Sequence, residues 1–183
     1  MRKAKYFCFE GTEGSGKTTH TTKLVAYLRE KGFKVLLTKE PGTIHAPLTM
    51  ELRGIMLDAK HEEQMTVSAR EFISQAIRSI HIEKVILPAL EEYDYIIQDR
   101  GILSGISYGH ACGNSHYFLG QLASEACRNL KTDWHELYDK VIYLRNDAAK
   151  GLARAKEAKQ EFAAGDAIEA KGDEFMLRVA KDM

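Results

Sequence analysis

Short runs rich in β-formers alternate with longer stretches of helical period, and this predicts an α/β fold: a parallel β-sheet flanked by helices on both faces in three layers, α/β/α. Two further observations say how such a fold would be used. Gly11 to Thr18 reads Gly-Thr-Glu-Gly-Ser-Gly-Lys-Thr, which satisfies G-x-x-x-x-G-K-[ST] and directly follows the apolar run Tyr6–Phe9. The strands also end in short polar segments, and parallel strands collect such ends on one rim, where ligands bind. The motif makes the expected fold that of a P-loop NTPase.

The elements follow in order. Ala4–Phe9 reads as the first strand, and Lys17–Lys31 as a helix closed by Gly32 in a left-handed cap. Phe33–Leu37 is the second strand, and Leu48–Leu57 is a short helix after Pro47. Val67–Leu87 reads as a long helix with Phe72, Ala76, Ile80, Val85 and Leu87 near one stripe, stopped by Pro88. Tyr93–Gln98 and Lys140–Leu144 complete the strands. Further helices are expected over Leu103–Ala111, Tyr117–Leu130 and Ala148–Phe162, with another beginning near Ala170. The common rim then carries Glu10–Lys17, Thr38–Gly42, Asp99–Gly101 and Arg145–Asp147. A length of 183 residues suits one domain over 1–183, with no linker or repeat and with Ala163–Asp166 the one candidate flexible element.

Composition narrows the function. Lys and Arg number 26 and Asp and Glu 26, so no global field draws nucleic acid or membrane, and basic residues must act locally. No apolar run approaches the ~18 residues of a membrane span, and Met1–Lys5 lacks the apolar stretch of a signal peptide; a cytoplasmic protein is expected. Cys8, Cys112 and Cys127 show no C-x-x-C spacing and read as reduced, mostly buried thiols. His110 and His116 could lie near each other, but no H-x-x-x-H or H-E-x-x-H spacing exists, so no protein metal site is expected.

The loop chemistry is explicit. Backbone N–H groups of Gly11, Thr12, Glu13, Gly14, Ser15 and Gly16 would turn inward around phosphate oxygens, and the helix opening at Lys17, Thr18 and Thr19 aims its positive end at the same anion. Lys17 would reach the β- and γ-phosphates, and the Thr18 hydroxyl would ligate Mg²⁺. Asp99, after the apolar strand Tyr93–Gln98, has the form of a metal-organising carboxylate; a helix N-cap is the competing reading. A nucleoside triphosphate is the expected ligand. The absence of N-K-x-D sets the GTP-binding switches aside.

Further segments carry a resemblance. They are Glu10-Gly11-Thr12-Glu13-Gly14 in the loop, Thr38-Lys39-Glu40-Pro41-Gly42-Thr43 after the second strand, Leu52-Arg53-Gly54-Ile55-Met56-Leu57-Asp58, Arg78 ahead of His81 and Pro88, and Asp99-Arg100 followed by Ser104 and Tyr108. In this order they resemble the thymidylate kinase family of P-loop nucleoside monophosphate kinases, from about Tyr6 to the helix holding Arg154. The resemblance implies phosphorylation of dTMP to dTDP with ATP and Mg²⁺. It implies that Arg53 and Arg100 hold the acceptor phosphate, Arg78 reads the pyrimidine and Arg100 also stabilises the transferring phosphoryl. Glu13 would hold the sugar hydroxyl or the metal shell, Tyr108 would pack against the deoxyribose, and Glu40 and Pro41 would shape the loop beneath the acceptor. Arg154, Lys156 and Lys159 would belong to a lid over about 148–168, although alternating Lys and Glu on a helix also makes a solvated face. A homodimer through helices including Val67–Leu87 is implied by the resemblance alone.

Several residues depart from the family pattern. Ser74 stands where a phenylalanine usually stacks on the thymine, and Gly105 lies where a larger residue is common; both are read as removing bulk from the base pocket. That opens two alternatives, a kinase for several or 5-substituted deoxynucleoside monophosphates, and a nucleotide-binding protein without catalysis. No general base is expected, because an acceptor phosphate monoester is already anionic near neutral pH.

Overall fold

The computed structural model describes residues 3–130, 133–160, 167–168 and 171–183, with the side chains of 148, 156 and 158–160 outside that description. Four parallel strands, β1 (Lys5–Glu10), β2 (Val35–Lys39), β3 (Tyr95–Asp99) and β4 (Lys140–Tyr143), form one sheet in the order β2-β3-β1-β4. Helices α1 (Lys17–Glu30), α2 (Pro47–Leu57), α3 (Val67–His81), α4 (Leu87–Glu92), α5 (Ile102–Ala111), α6 (His116–Cys127), α7 (Ala148–Gln160) and α8 (Gly172–Asp182) connect and cover it. The expected α/β/α fold is what forms. The element expected near Ala170 is α8, although 169–170 and Ala163–Asp166 lie outside the described residues.

Alternation along the strands sorts the core into two faces. Phe9, Val35 and Ile97 point to the side covered by Val25 and Leu28 of α1. Tyr6, Leu36 and Ile96 point to the other side, against Ile82, Val85, Ile86, Ala89, Ile102, Ala123 and Cys127. Burying each large aliphatic side chain contributes about 1.5–3 kcal/mol, so these two layers hold the sheet between its helices. A third cluster, Leu152, Phe175, Met176 and Val179, packs α7 and α8 against Tyr108 and Cys112 of α5 and its C-cap.

β2 and β3 begin two residues later than the sequence suggests. Phe33 donates to Leu28 O and Gly32 to Arg29 O, closing α1 with a Schellman pattern that uses Phe33 before the strand can start. Lys34 and Asp94 then bond each other, Lys34 N to Asp94 Oδ2 and Asp94 N to Lys34 O. The ladder aligns Phe9 and Lys39 with Asp99, which sets Glu10, Glu40 and Arg100 side by side just past the strand ends.

Two expectations about the long helix are corrected. The helical path does not stop at Pro88; it passes through a π-helical turn at Ile82–Ile86 and continues as α4 to Glu92. A proline lacks an N–H and crowds the preceding turn, and a π-turn is one way a helix accommodates such a break. The expected stripe is also displaced. Phe72 is 55% exposed and Ala76 is exposed, while Ile77, His81, Ile82, Val85 and Ile86 face inward. The reason is polar burial: Arg70, Glu71, Gln75 and Arg78 occupy the inner face of α3, so apolar period no longer marks it.

Candidate active site

The loop between β1 and α1 is built from backbone. Gly11, Gly14 and Gly16 have φ of 143°, 64° and 89°, and the Gly16 N-cap leaves the start of α1 without a side-chain cap. Lys17 folds back over the loop, its Nζ donating to Gly11 O at 2.8 Å, Thr12 O at 2.6 Å and Ser15 Oγ at 3.3 Å. Burial, with the Arg100 charge beside it, pulls its pKa down to about 8. The Thr18 hydroxyl donates to Asp99 Oδ2 at 2.6 Å, so these two residues meet at the mouth of the loop. Thr19 is exposed one residue further along α1.

The start of α7 docks on this loop. Thr12 Oγ1 donates to Asn146 Oδ1 at 2.6 Å, and Asp147 Oδ1 accepts from Lys150 N at the first turn. A Cβ at Gly14 would overlap the Gly151 carbonyl, and one at Gly151 would approach Glu13 O to 2.5 Å. Two glycines are what allow helix and loop backbones to touch. Arg154 is exposed on α7 and donates to Lys150 O, with no described contact to the loop. The Lys156 and Lys159 side chains, like 161–166 of the expected lid, lie outside the described residues.

Beside the loop, α2, α3 and α5 enclose a cleft of about 150 Å³, partly open to solvent. Its walls include Glu40, Pro41, Arg53, Ser74, Arg78, Arg100, Ser104, Gly105 and Tyr108, along with Glu13 from the loop. All nine residues expected on the acceptor side are thus brought to one place. Arg100 has φ 62°, an uncommon left-handed conformation for a non-glycine residue, at a cost of about 1–3 kcal/mol. That bend turns its side chain toward the loop: Nη1 lies 3.5 Å from Gly11 O, Nη2 3.8 Å from Glu13 Oε1, and the guanidinium 5.4 Å over the Tyr108 ring. Burial opposes its charge, but Tyr108 and the Glu13, Asp99 and Glu10 carboxylates outweigh that and hold its pKa above the ordinary value. Arg53 Nη1 donates to Pro41 O at 2.9 Å, and the Glu40–Pro41 peptide is cis.

Arg78 is differently placed. Only 3% exposed, it donates from Nε to Glu40 Oε2 at 2.9 Å and from Nη1 to Gln75 Oε1 at 2.7 Å. Glu40 Oε1 lies 3.0 Å from His81 Nδ1, and His81 Nε2 lies 2.8 Å from Thr38 Oγ1. Burial pushes the Glu40 carboxyl up, but the Arg78 charge and the His81 hydrogen bond overcome it and hold it down at about 2. The reading of Gly105 as lost bulk is corrected here. A Cβ at 105 would overlap Arg78 Nη2, so the space is filled by the guanidinium and is not open pocket. Ser74 does line the cleft without a ring; Phe72 turns away onto Phe118, with centroids 6.1 Å apart. Tyr108 is the one aromatic lining residue among those described, and it also packs on Phe175 at 6.3 Å.

Two site residues received no role from the sequence, although Glu10 stood on the expected rim. Glu10 is buried at the end of β1, accepting from Gly101 N at 3.0 Å, Ser104 N at 3.2 Å and the Ser104 hydroxyl, which caps α5 where Gly101 has no side chain. Burial raises its carboxyl pKa despite these bonds. Its signal was faint, a carboxylate closing an apolar strand. Arg70 bonds Met56 O and Glu62 from inside the cleft wall. Its spacing was legible: positions 70, 74 and 78 share one helix face.

A parallel sheet bearing this loop, with a cleft lined by arginines next to it, defines a P-loop NTPase fold. A thymidylate kinase family model matches residues 9–182, and the chain belongs to that family. It is 33% identical over 177 residues to a thymidylate kinase of Nitrosospira multiformis and 32% identical over 176 residues to one of Acinetobacter baylyi, covering 97% and 95% of this chain and 80% of each relative. It is 42% identical over 106 residues to a thymidylate kinase of Geobacillus sp. (strain WCH70), 58% of this chain and 49% of that one. The chain thus spans about half the length of some of the relatives it matches.

Proposed function

We propose that this chain transfers the γ-phosphoryl group of ATP to dTMP with Mg²⁺, yielding dTDP and ADP. One observation carries the reading. Arg100 and Glu13 belong to both surfaces, touching the loop and lining the cleft, so two phosphorylated molecules bound there would meet end to end beside one guanidinium. A gap between two anions needs fixed positive charge, and Lys17, Arg53 and Arg100 are placed around it. The names of the relatives supply the acceptor.

The residues divide the work. Lys17 exchanges its carbonyl partners for β- and γ-phosphate oxygens. The Thr18 hydroxyl and Asp99 carboxylate are oxygen donors of the type Mg²⁺ takes alongside waters and phosphates, and they are the residues to hold it. When bound there, the ion neutralises charge on those phosphates. An acceptor phosphate oxygen forms the new bond to the γ-phosphorus as the bond to the β,γ-bridging oxygen breaks, and ADP leaves with that electron pair. No proton has to move, because an acceptor phosphate monoester is already anionic near neutral pH. Arg53 and Arg100 hold the acceptor phosphate, Tyr108 backs the sugar, and Arg78 presents what its pairing leaves free to the base.

A second reading, a wider choice of acceptor base, rests on Ser74: with Tyr108 the one described ring at the cleft, nothing on α3 stacks a thymine. A coupled ATP/dTMP assay tests the first reading. Lys17→Ala and Arg100→Ala are each expected to cut turnover by about 10³-fold or more. ATP binding without turnover on dTMP, dUMP, 5-hydroxymethyl-dUMP, dGMP or dAMP would overturn it in favour of a non-catalytic binder. Strict dTMP preference across that panel would sink the second.

We further propose that the chain acts in the cytoplasm, as one domain, and as a homodimer through α3. The free thiols of Cys8, Cys112 and Cys127 agree with a reducing compartment. No helix among the described residues is long and apolar enough to cross a membrane. The dimer is supported by outward-facing Phe72 and Ala76, which a second copy would cover.

A further inference from the structure

Away from the cleft, three metal-ligating side chains converge where α5, α6 and α8 meet. His110 lies in the last turn of α5, His116 in the first turn of α6 and Asp182 in the last turn of α8. His110 Nδ1 and His116 Nε2 each lie 3.0 Å from the same oxygen, Asp182 Oδ1, and the three ligand atoms fall within 4.8 Å of one another. The two imidazoles overlap, with ring centroids 3.8 Å apart and planes 30° from parallel. The other carboxylate oxygen, Asp182 Oδ2, is buried with no hydrogen-bond partner among the described residues.

Hydrogen bonding alone accounts poorly for this arrangement. His116 bonds one oxygen of the carboxylate and His110 crowds that same oxygen, while the other, buried oxygen has no partner among the described residues, and buried polar atoms rarely stay unpartnered. Protonating both rings to strengthen the contact would place two like charges face to face. A divalent cation resolves both difficulties. Neutral imidazoles aim lone pairs at it, the carboxylate balances its charge, and a carboxylate can bind through one or both oxygens. Tetrahedral coordination at 2.0–2.1 Å puts ligand atoms roughly 3.3 Å apart, close to the 3.0 Å at which each imidazole nitrogen already approaches Asp182 Oδ1. Asp182 is 15% exposed and His116 54%, which leaves the remaining position open to water.

We propose that His110, His116 and Asp182 form a Zn²⁺ site that clamps α8 onto α5 and α6. Two imidazole nitrogens with one carboxylate are a ligand set that zinc takes, whereas Mg²⁺ favours oxygen donors alone, so this site is separate from the Thr18–Asp99 pair. The sequence offered the two histidines but not the third ligand. The histidines sit on different helices across the turn at Gly113, and Asp182 comes from a helix far along the chain. The clamp bears on the cleft indirectly, because Phe175, Met176 and Val179 of α8 back the Tyr108 wall. It is a positioning device and takes no part in phosphoryl transfer.

The test uses the full chain, stripped with chelator, exchanged into phosphate-free buffer and titrated with ZnCl₂ by calorimetry. One zinc per chain is expected, with a rise in Tm that Mg²⁺ does not reproduce and visible d–d absorption of a four-coordinate ion on substitution with Co²⁺. His116→Ala, at an exposed position, and Asp182→Asn, which keeps shape and hydrogen bonding, are each expected to weaken zinc binding at least about 10-fold and to abolish the Tm rise while far-UV circular dichroism is unchanged. Two results overturn the proposal: no saturable zinc binding by the parent chain at about 100 μM, or binding of equal strength in both variants, which would place the ion elsewhere and leave the triad a hydrogen-bonded tether.

Discussion

In the loop from Gly11 to Thr18, the groups that would meet a phosphate are mostly backbone N–H, and the buried cation Lys17 rests on neutral carbonyls. In the adjoining cleft the cations are side chains from different elements, and the most buried of them, Arg78, is bound to the carboxylate of Glu40. Leaving a carbonyl forfeits a hydrogen bond, whereas leaving Glu40 strands two charges in the interior. Lys17 is therefore a cation held in reserve for a ligand, and Arg78 is a cation already spent on the wall it belongs to. Similar charges in neighbouring places do different jobs because their resting partners differ.

The comparison can be broken at several points. The largest stability effect is expected from Glu40→Gln, which leaves the Arg78 charge buried without its counterion and should cost about 3–5 kcal/mol in urea unfolding. The same carboxyl predicts acid behaviour. Held at about 2 when folded and near 4.5 when unfolded, it adds stability that is complete above about pH 4.5 and is lost as pH falls toward 2. Glu40→Gln should flatten that part of the stability profile, and an unchanged profile would mean that Arg78 is not tied to Glu40.

A smaller effect tests whether Arg78 serves the acceptor. Gly105→Ala drives a Cβ into the guanidinium, whose clamp by Glu40 and Gln75 leaves little room to yield. The acceptor KM is expected to rise about 10-fold while ATP affinity stays within about twofold, measured by steady-state kinetics and ATP titration. Equal losses on both sides would merge the two regions that the comparison separates. The mildest effect concerns Lys17. With its pKa near 8, the loop loses its cation as pH climbs past 8, so ATP affinity should fall about threefold to tenfold between pH 7.5 and 9.5. Meanwhile the empty protein should gain stability from this lysine as pH rises from about 8 toward 10.5, because the folded chain holds fewer protons there than the unfolded one. Calorimetry in buffers of different ionisation heat should register proton uptake on ATP binding near pH 8.

Legibility in the sequence followed locality. The loop was readable because eight consecutive residues make it, and the strands because runs of β-formers such as Tyr6–Phe9 and Tyr95–Ile97 stand out locally. The cleft residues were found one at a time through the resemblance, and their partners were not. Nothing near Gly105 announces Arg78 on another helix, and nothing near Arg78 announces Glu40 after the second strand. The α3 stripe misled because its inner face is polar for the sake of the cleft, and the π-turn hid because five ordinary residues, Ile82–Ile86, carry no mark of it.

The contact between Gly14 and Gly151 places a constraint on the chain's history. Neither position can accept even a methyl group while the other backbone stays where it is, so the two sites, far apart in sequence, are free to change only in concert with a shift of loop or helix. A side chain at 151, outside the phosphate-binding motif, then presses on the same backbone contact as one inside it. The stretch of chain that shapes the loop is longer than the eight residues of the motif.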